Sequence, residues 1–159
     1  KSKKATFIDE FTKLYYNVNS SFIKYILSEM QLNHPDCPPG KWDNNLIEIE
    51  HIIPQNPNDG WKINKVELGN KVHLIGNLTL ITSKANSSIN NDSLEKKLET
   101  YKKQGNTFPQ MKEIVNNYYL PEDEVKRWAF EKTTAYDLTS IEKRGKSLAE
   151  TAFKIWKNF

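Results

Sequence analysis

A single cysteine, Cys37, is all that the 159-residue chain contains, so no internal disulfide braces it and the paired cysteines of a zinc ribbon are missing. That scarcity fits a reducing, cytoplasmic setting. Long apolar runs are lacking as well. Nothing approaches the roughly 20 residues needed to cross a bilayer, and no secretory pattern opens the chain, so no membrane partner is expected. Charge of one sign is not in excess: the formal net charge is +3, too small to name a nucleic-acid partner by itself. What is present is 37% hydrophobic and 27% charged, a balance that excludes wholesale disorder. The length suits one domain with a genuine core. Because the first residue is Lys1 rather than Met, the chain reads as a fragment of a longer protein.

Periodicity predicts helices over most of the chain. From Thr6, residues Phe7, Phe11, Leu14 and Tyr15 recur at helical spacing, an interruption is expected at 17–21, and Phe22, Tyr25, Ile26 and Met30 form a second, core-facing stripe. The run 34–40 (His-Pro-Asp-Cys-Pro-Pro-Gly) is loop. Its His34 and Cys37 offer two zinc donors without a second pair. Residues 46–53 alternate apolar and charged side chains, the pattern of a strand, which Pro54 ends. A turn follows at 55–60, 61–75 is ambiguous, and 77–81 fits a second short strand. Thr82 or Ser83 could cap a helix entering Lys84, Ala85 and Asn86.

From Ser93 a helix places Leu94, Leu98 and Tyr101 on one face and Lys96, Lys97, Lys102 and Lys103 around the rest. Residues 104–106 break it. Another helix runs from about Pro109 with Met111, Ile114, Val115 and Tyr118 inward, and Pro121 opens a short one through Trp128. The last begins at a capping box, Thr139 with Glu142 three residues on, and buries Ile141, Leu148, Ala152, Ile155 and Trp156. Arg144, one of two arginines, lies on the side of Leu148 as a buried anchor or a phosphate contact. The class is α+β and mostly helical.

Three pieces could carry chemistry together: Glu50-His51-Ile52-Ile53-Pro54, then Asn77-Leu78-Thr79-Leu80-Ile81, then Asn86. Hydrolysing a phosphodiester needs an activated water, a cation to offset charge in the transition state, and help for the leaving oxygen. A histidine titrating near about 6.5 suits a general base at neutral pH. Mg²⁺ prefers oxygen ligands and keeps several waters, so a carboxylate and an amide oxygen suffice, and Glu50 and Asn86 can supply them. Neighbours on a strand point to opposite faces, so bringing Glu50 and His51 together requires a bend or bulge at the strand end.

The ordered set resembles the HNH branch of the His-Me finger (ββα-metal) nucleases. More closely, it is similar to the C-terminal nuclease domain of GmrSD-type modification-dependent (type IV) restriction endonucleases, through the His-x-x-Pro motif at His51–Pro54, the strand Ile75-Gly76-Asn77-Leu78-Thr79-Leu80, and a closing helix matched from Ile141 through Trp156. The resemblance implies a small ββα-metal core, about 46–103, embedded in a helical scaffold with a lead-in over 6–32 and a C-terminal part over 107–159. It implies that Glu50 and Asn86 are metal ligands, that His51 is the general base, and that Asn77 pins the loop between the strands and helps to orient the histidine. It further implies one Mg²⁺ or Mn²⁺, DNA as substrate, a bacterial anti-phage role, and an upstream nucleotide-hydrolysing sensor domain. Thr82 and Ala85 stand where zinc-bearing relatives have cysteines, so no structural zinc is expected. Ile89 stands where a lysine or arginine is frequent, which leaves the phosphate-contacting cation open. Lys84, Lys96 and Lys97 flank the metal helix and are candidate nucleic-acid contacts against the plainer reading of a solvated face. Arg144 joins them, and His73 is open between a structural and a substrate-facing role. The competing expectation is a catalytically silent nucleic-acid-binding or adaptor domain that kept the fold.

Overall fold

The computed structural model describes residues 2–40, 42–118 and 136–157. They form a mostly helical α+β fold around one two-stranded antiparallel sheet. Strand β1 (Ile47–His51) pairs with β2 (Leu78–Thr82), with Glu50 opposite Thr79 and His51 opposite Leu78. Strand β1 is shorter than the alternation suggested, and β2 keeps its expected length one position further on. Backbone pairing nevertheless continues one step past β1, where the Ile52 amide donates to the Asn77 carbonyl at 2.9 Å.

Helix α1 (Lys3–Phe11) starts before Thr6 because the Ser2 hydroxyl accepts the Ala5 amide at 3.2 Å and caps it. The chain breaks at 12–15, not at 17–21. Tyr15 is extended and bridges to Leu74, while the Leu14 carbonyl accepts the Ile75 amide at 3.0 Å. A partner some sixty positions away decides that break, and local spacing carries no trace of it. Helix α2 (Tyr16–Leu32) buries Ile23, Ile26, Leu27 and Met30, which follow the i, i+3, i+4, i+7 rule. Phe22 and Tyr25, expected inside, flank that stripe and are about half exposed, at 50% and 58%.

The ambiguous stretch resolves into turns that side-chain amides cap. Asn58 caps the turn Asp59–Trp61, and Asn64 caps α3 (Lys65–Leu68). Short 3₁₀ turns at Gly69–His73 and Ile75–Asn77 lead into β2. Thr82 caps α4 (Ser83–Ile89) through its hydroxyl. Then come α5 (Leu94–Gln104) and α6 (Pro109–Tyr118), the latter burying Met111, Ile114 and Val115. The Tyr118 side chain and the helix expected from Pro121 to Trp128 lie outside the described residues.

Helix α7 (Leu138–Trp156) begins two positions earlier than the Thr139 box implies. Asp137 and Ser140 exchange backbone–side-chain hydrogen bonds at 3.0 and 3.1 Å. A carboxylate cap also meets the positive end of the helix dipole, an advantage that the Thr139 hydroxyl lacks. This helix presses on the turn before β2. A Cβ at Gly76 would collide with the Ile141 carbonyl oxygen, so the close approach requires glycine. Arg144 Nη1 donates to the Gly76 and Leu78 carbonyls at 2.8 and 2.7 Å, and the Tyr136 hydroxyl donates to the Gly76 carbonyl at 2.6 Å. Of the two roles open to Arg144, the fold uses it as an anchor.

Strand β2 is covered on both faces: Leu78, Thr79, Leu80 and Ile81 are all buried. Strand β1 has Glu48 exposed and, among the described residues, no partner strand on its other edge.

Candidate active site

A polar groove of about 610 Å³ runs beside β1 and is lined by all five consecutive residues from Ile47 to His51. Consecutive strand residues point to alternate faces. Only a groove following the open edge of the strand can therefore touch every one of them. The expected bend or bulge is absent: register is kept through His51, and Glu50 and His51 line the groove from opposite faces of the strand. Tyr16, Lys24, Asn86 and Lys97 also line it, as do Gln55 and Asn56 beyond the strand.

Asn77 explains the local geometry at the strand end. Its Oδ1 accepts the Ile53 amide at 2.9 Å, and its Nδ2 donates to the Ile53 and Val72 carbonyls at 2.9 and 2.8 Å. The side chain is buried, and both ends of its amide are engaged. It thus staples the loop after His51 to the turn before β2.

His51 packs away from the sheet toward α2. Its ring meets Tyr16 edge-on, with centroids 4.8 Å apart, and its Nε2 lies 3.2 Å from Nδ1 of His73. Burial, with the neighbouring His73 and Lys97 charges, lowers its pKa to about 4. The imidazole is therefore neutral at pH 7, the state that can accept a proton. His73 is buried beneath it, and burial lowers its pKa too.

Glu50 points the other way, toward α5. Its Oε1 accepts from Lys97 Nζ at 2.6 Å and from the Tyr101 hydroxyl at 2.7 Å, and Lys97 also donates to the His51 carbonyl at 2.8 Å. Burial pushes the Glu50 carboxyl up and pulls the Lys97 ammonium down, and each charge partly offsets the effect on the other. Removing one partner of so buried a pair typically costs about 3–5 kcal/mol, because the other charge is left uncompensated. Lys97 is thus turned inward with no exposed surface, whereas Lys84 is exposed and Lys96 lies 3.6 Å from Asp92 on the surface.

Asn86 meets Glu48 instead of Glu50: its Nδ2 donates to Glu48 Oε2 at 2.7 Å. An ionised carboxylate only accepts, so the amide is oriented by chemistry and its Oδ1 is left for another group. Glu48 and Glu50 share a face of β1. Side-chain donors reach Glu48 at Oε2 and Glu50 at Oε1, so one oxygen of each carboxylate, with Asn86 Oδ1, is left without such a donor among the described residues. Three such oxygens suit a hard cation that keeps part of its water shell. No cluster of three or more His, Cys, Asp or Glu side chains capable of holding a metal occurs among the described residues, and His34 pairs with Glu113 at 2.9 Å.

Glu48, Tyr101 and Tyr16 join this cluster without having stood out as site residues in the sequence. Period-two alternation was enough to put Glu48 on the face of Glu50. For Tyr16 and for the inward turn of Lys97 no local signal exists.

A two-stranded ribbon followed by a helix, with carboxylates, a neutral imidazole and an amide lining a groove along one strand edge, defines a mostly helical α+β domain. The chain belongs to the family of GmrSD restriction endonuclease C-terminal domains: the family described as "GmrSD restriction endonucleases, C-terminal domain" matches residues 1–151. Membership places it among nuclease domains of the restriction-endonuclease class. No curated protein matches the chain.

Proposed function

We propose that the domain is a divalent-cation-dependent DNA endonuclease of the HNH, His-Me finger type. The observation that carries this is the neutral His51 imidazole lining the same groove as Glu48, Glu50 and Asn86, each of which keeps an oxygen without a side-chain donor among the described residues. His51 takes the proton from the attacking water. Glu50 and Asn86 hold Mg²⁺ or Mn²⁺, and the ion when bound supplies the positive charge that the transition state and the departing oxygen need. Lys97 and Tyr101 hold the Glu50 carboxylate in one orientation, while Asn77 fixes the loop from which His51 is presented. Cleavage by a water activated in this way leaves 5′-phosphate and 3′-hydroxyl ends. No zinc takes part.

Family membership supports a role in bacterial defence against phage, acting on modified DNA in the cytoplasm. In that role residues 1–159 serve as one nuclease domain, and a nucleotide-hydrolysing sensor domain elsewhere in the full-length protein selects the target.

One observation favours a second reading. Glu50 is buried and already neutralised by Lys97, as it would be in a domain that keeps the fold for binding alone. Plasmid nicking with added Mg²⁺ or Mn²⁺ separates the two. The parent should nick and His51→Ala should lose about 10²–10⁴-fold in rate, the range for a positioned general base. Equal rates in parent and variant would remove His51 as base, and no metal-dependent cleavage of any DNA by the full-length protein would leave the binding domain.

A further inference from the structure

His73 has no place in the roles assigned so far, yet it makes the one polar side-chain contact found for His51 among the described residues. Both rings have aromatic neighbours. Tyr16 stacks nearly parallel on His73 at 6.0 Å, Tyr15 meets His73 edge-on at 5.4 Å, and the two imidazoles stand at 86° to one another. Nε2 of His51 lies 3.2 Å from Nδ1 of His73, while Nδ1 of His51 is without a hydrogen-bond partner among the described residues. His51 lines the groove and His73 does not.

A neutral imidazole has one N–H and one lone pair. If His51 is the base, a reading on which this inference rests, the lone pair must be on the nitrogen that His73 leaves free. We infer that His73 is a positioning residue that holds His51 as the Nε2–H tautomer: Nδ1 of His73 accepts that hydrogen, and Nδ1 of His51 is the atom that takes the proton from water. His73 then carries its own hydrogen on Nε2. When His51 Nδ1 gains a proton, the Nε2–H bond to His73 is unchanged, so the ring keeps its aim through the step. The opposite assignment, with His73 donating, would put an N–H on the free nitrogen of His51 and leave no base there.

The chain has three histidines, so long-range ¹H–¹⁵N correlation spectra of the imidazoles can be assigned with His73→Phe and His34→Gln variants. In the metal-free protein at neutral pH, His51 should show a protonated Nε2 and a bare Nδ1. A protonated Nδ1 overturns the inference. His73→Phe keeps the ring stacking and removes the acceptor; His51 should become a tautomer mixture. Its nicking kcat should fall about tenfold to a hundredfold with KM little changed, the range for partners that orient a reacting or ligating imidazole. His73→Asn, whose Oδ1 can accept in place of Nδ1, should restore the single tautomer and most of the rate. Equal loss in both variants with an unchanged His51 tautomer would mean that His73 only packs, and the inference fails. A parent protein that shows the expected tautomer but never nicks DNA overturns the nuclease reading and leaves the tautomer assignment standing.

Discussion

The same burial that keeps His51 neutral makes the fold sensitive to acid. In the unfolded chain an ordinary histidine takes a proton near pH 6.5; in the native protein His51 does so only at about pH 4. Between those values the unfolded state binds more protons, so native stability falls as pH is lowered through that window and levels off below it. His73 is shifted in the same direction and adds to the effect. The loss assignable to His51 is on the order of 3 kcal/mol between pH 7 and pH 4. Urea denaturation at those two pH values measures it, and His51→Asn, which cannot titrate there, should flatten most of the difference. A wild-type stability independent of pH across this range would show that the ring is not buried as described. Residue by residue, the site is thus made of groups held in states that water would not favour: a neutral imidazole, and an ion pair sealed beneath Trp61, whose ring centre lies 5.9 Å from the Lys97 ammonium.

At the scale of elements, the contact of α7 with the turn before β2 decides whether that site exists. Gly76→Ala would drive a methyl group into the Ile141 carbonyl, so the helix or the turn must move. The expected penalty is about 3 kcal/mol or more, beyond ordinary overpacking because the obstacle is backbone. A denaturation series reads the penalty. Nicking should drop with it, since the displaced turn carries Asn77. A Gly76→Ala protein of parental stability would show that helix and turn are looser than described. This contact also marks where the sequence stopped being informative. Strand alternation, the Thr82 cap and the breaks around α5 and α6 are local matters of spacing and hydrogen bonding, and they could be read directly. That Glu50, His51 and Asn86 line one groove was legible because they fall in short stretches that follow one another in order, with Asn77 between them. What could not be read depends on distant partners. Leu74 extends Tyr15 and ends α1 early, the Gly76 and Leu78 carbonyls claim Arg144, and Glu50 draws Lys97 inward from a helix face that looks solvated. The cap of α7 was misplaced for a different reason: two overlapping boxes compete there, and the charged one wins.

For the whole molecule, the distribution of charge sets how DNA would be held. Lys24 and Lys97 are the cations lining the groove among the described residues; the former donates to the Asn44 carbonyl and the latter is locked to Glu50. The rest of the lining is rich in hydroxyls and amides, among them Ser20, Ser21, Asn56 and Asn91. Such a surface neutralises few phosphates. The slope of log K against log salt concentration for DNA binding should therefore be about −3 or shallower, since each neutralised phosphate contributes about −0.9. Filter binding between 50 and 200 mM salt, about the range over which many-contact binders lose most affinity, gives the slope. A value near −8 would move the main contacts to another face of the protein.

The clamp on Gly76 also sets an order of events during synthesis. Both strands, with His51 and Asn86, leave the ribosome before residues 138–156, yet the turn that anchors Asn77, and through it the loop after His51, is secured by Tyr136 and Arg144. Chains emerge amino end first, over seconds. A half-made copy therefore holds both strands without the brace that fixes the turn between them, and on the proposed function the groove is completed only when the closing helix arrives.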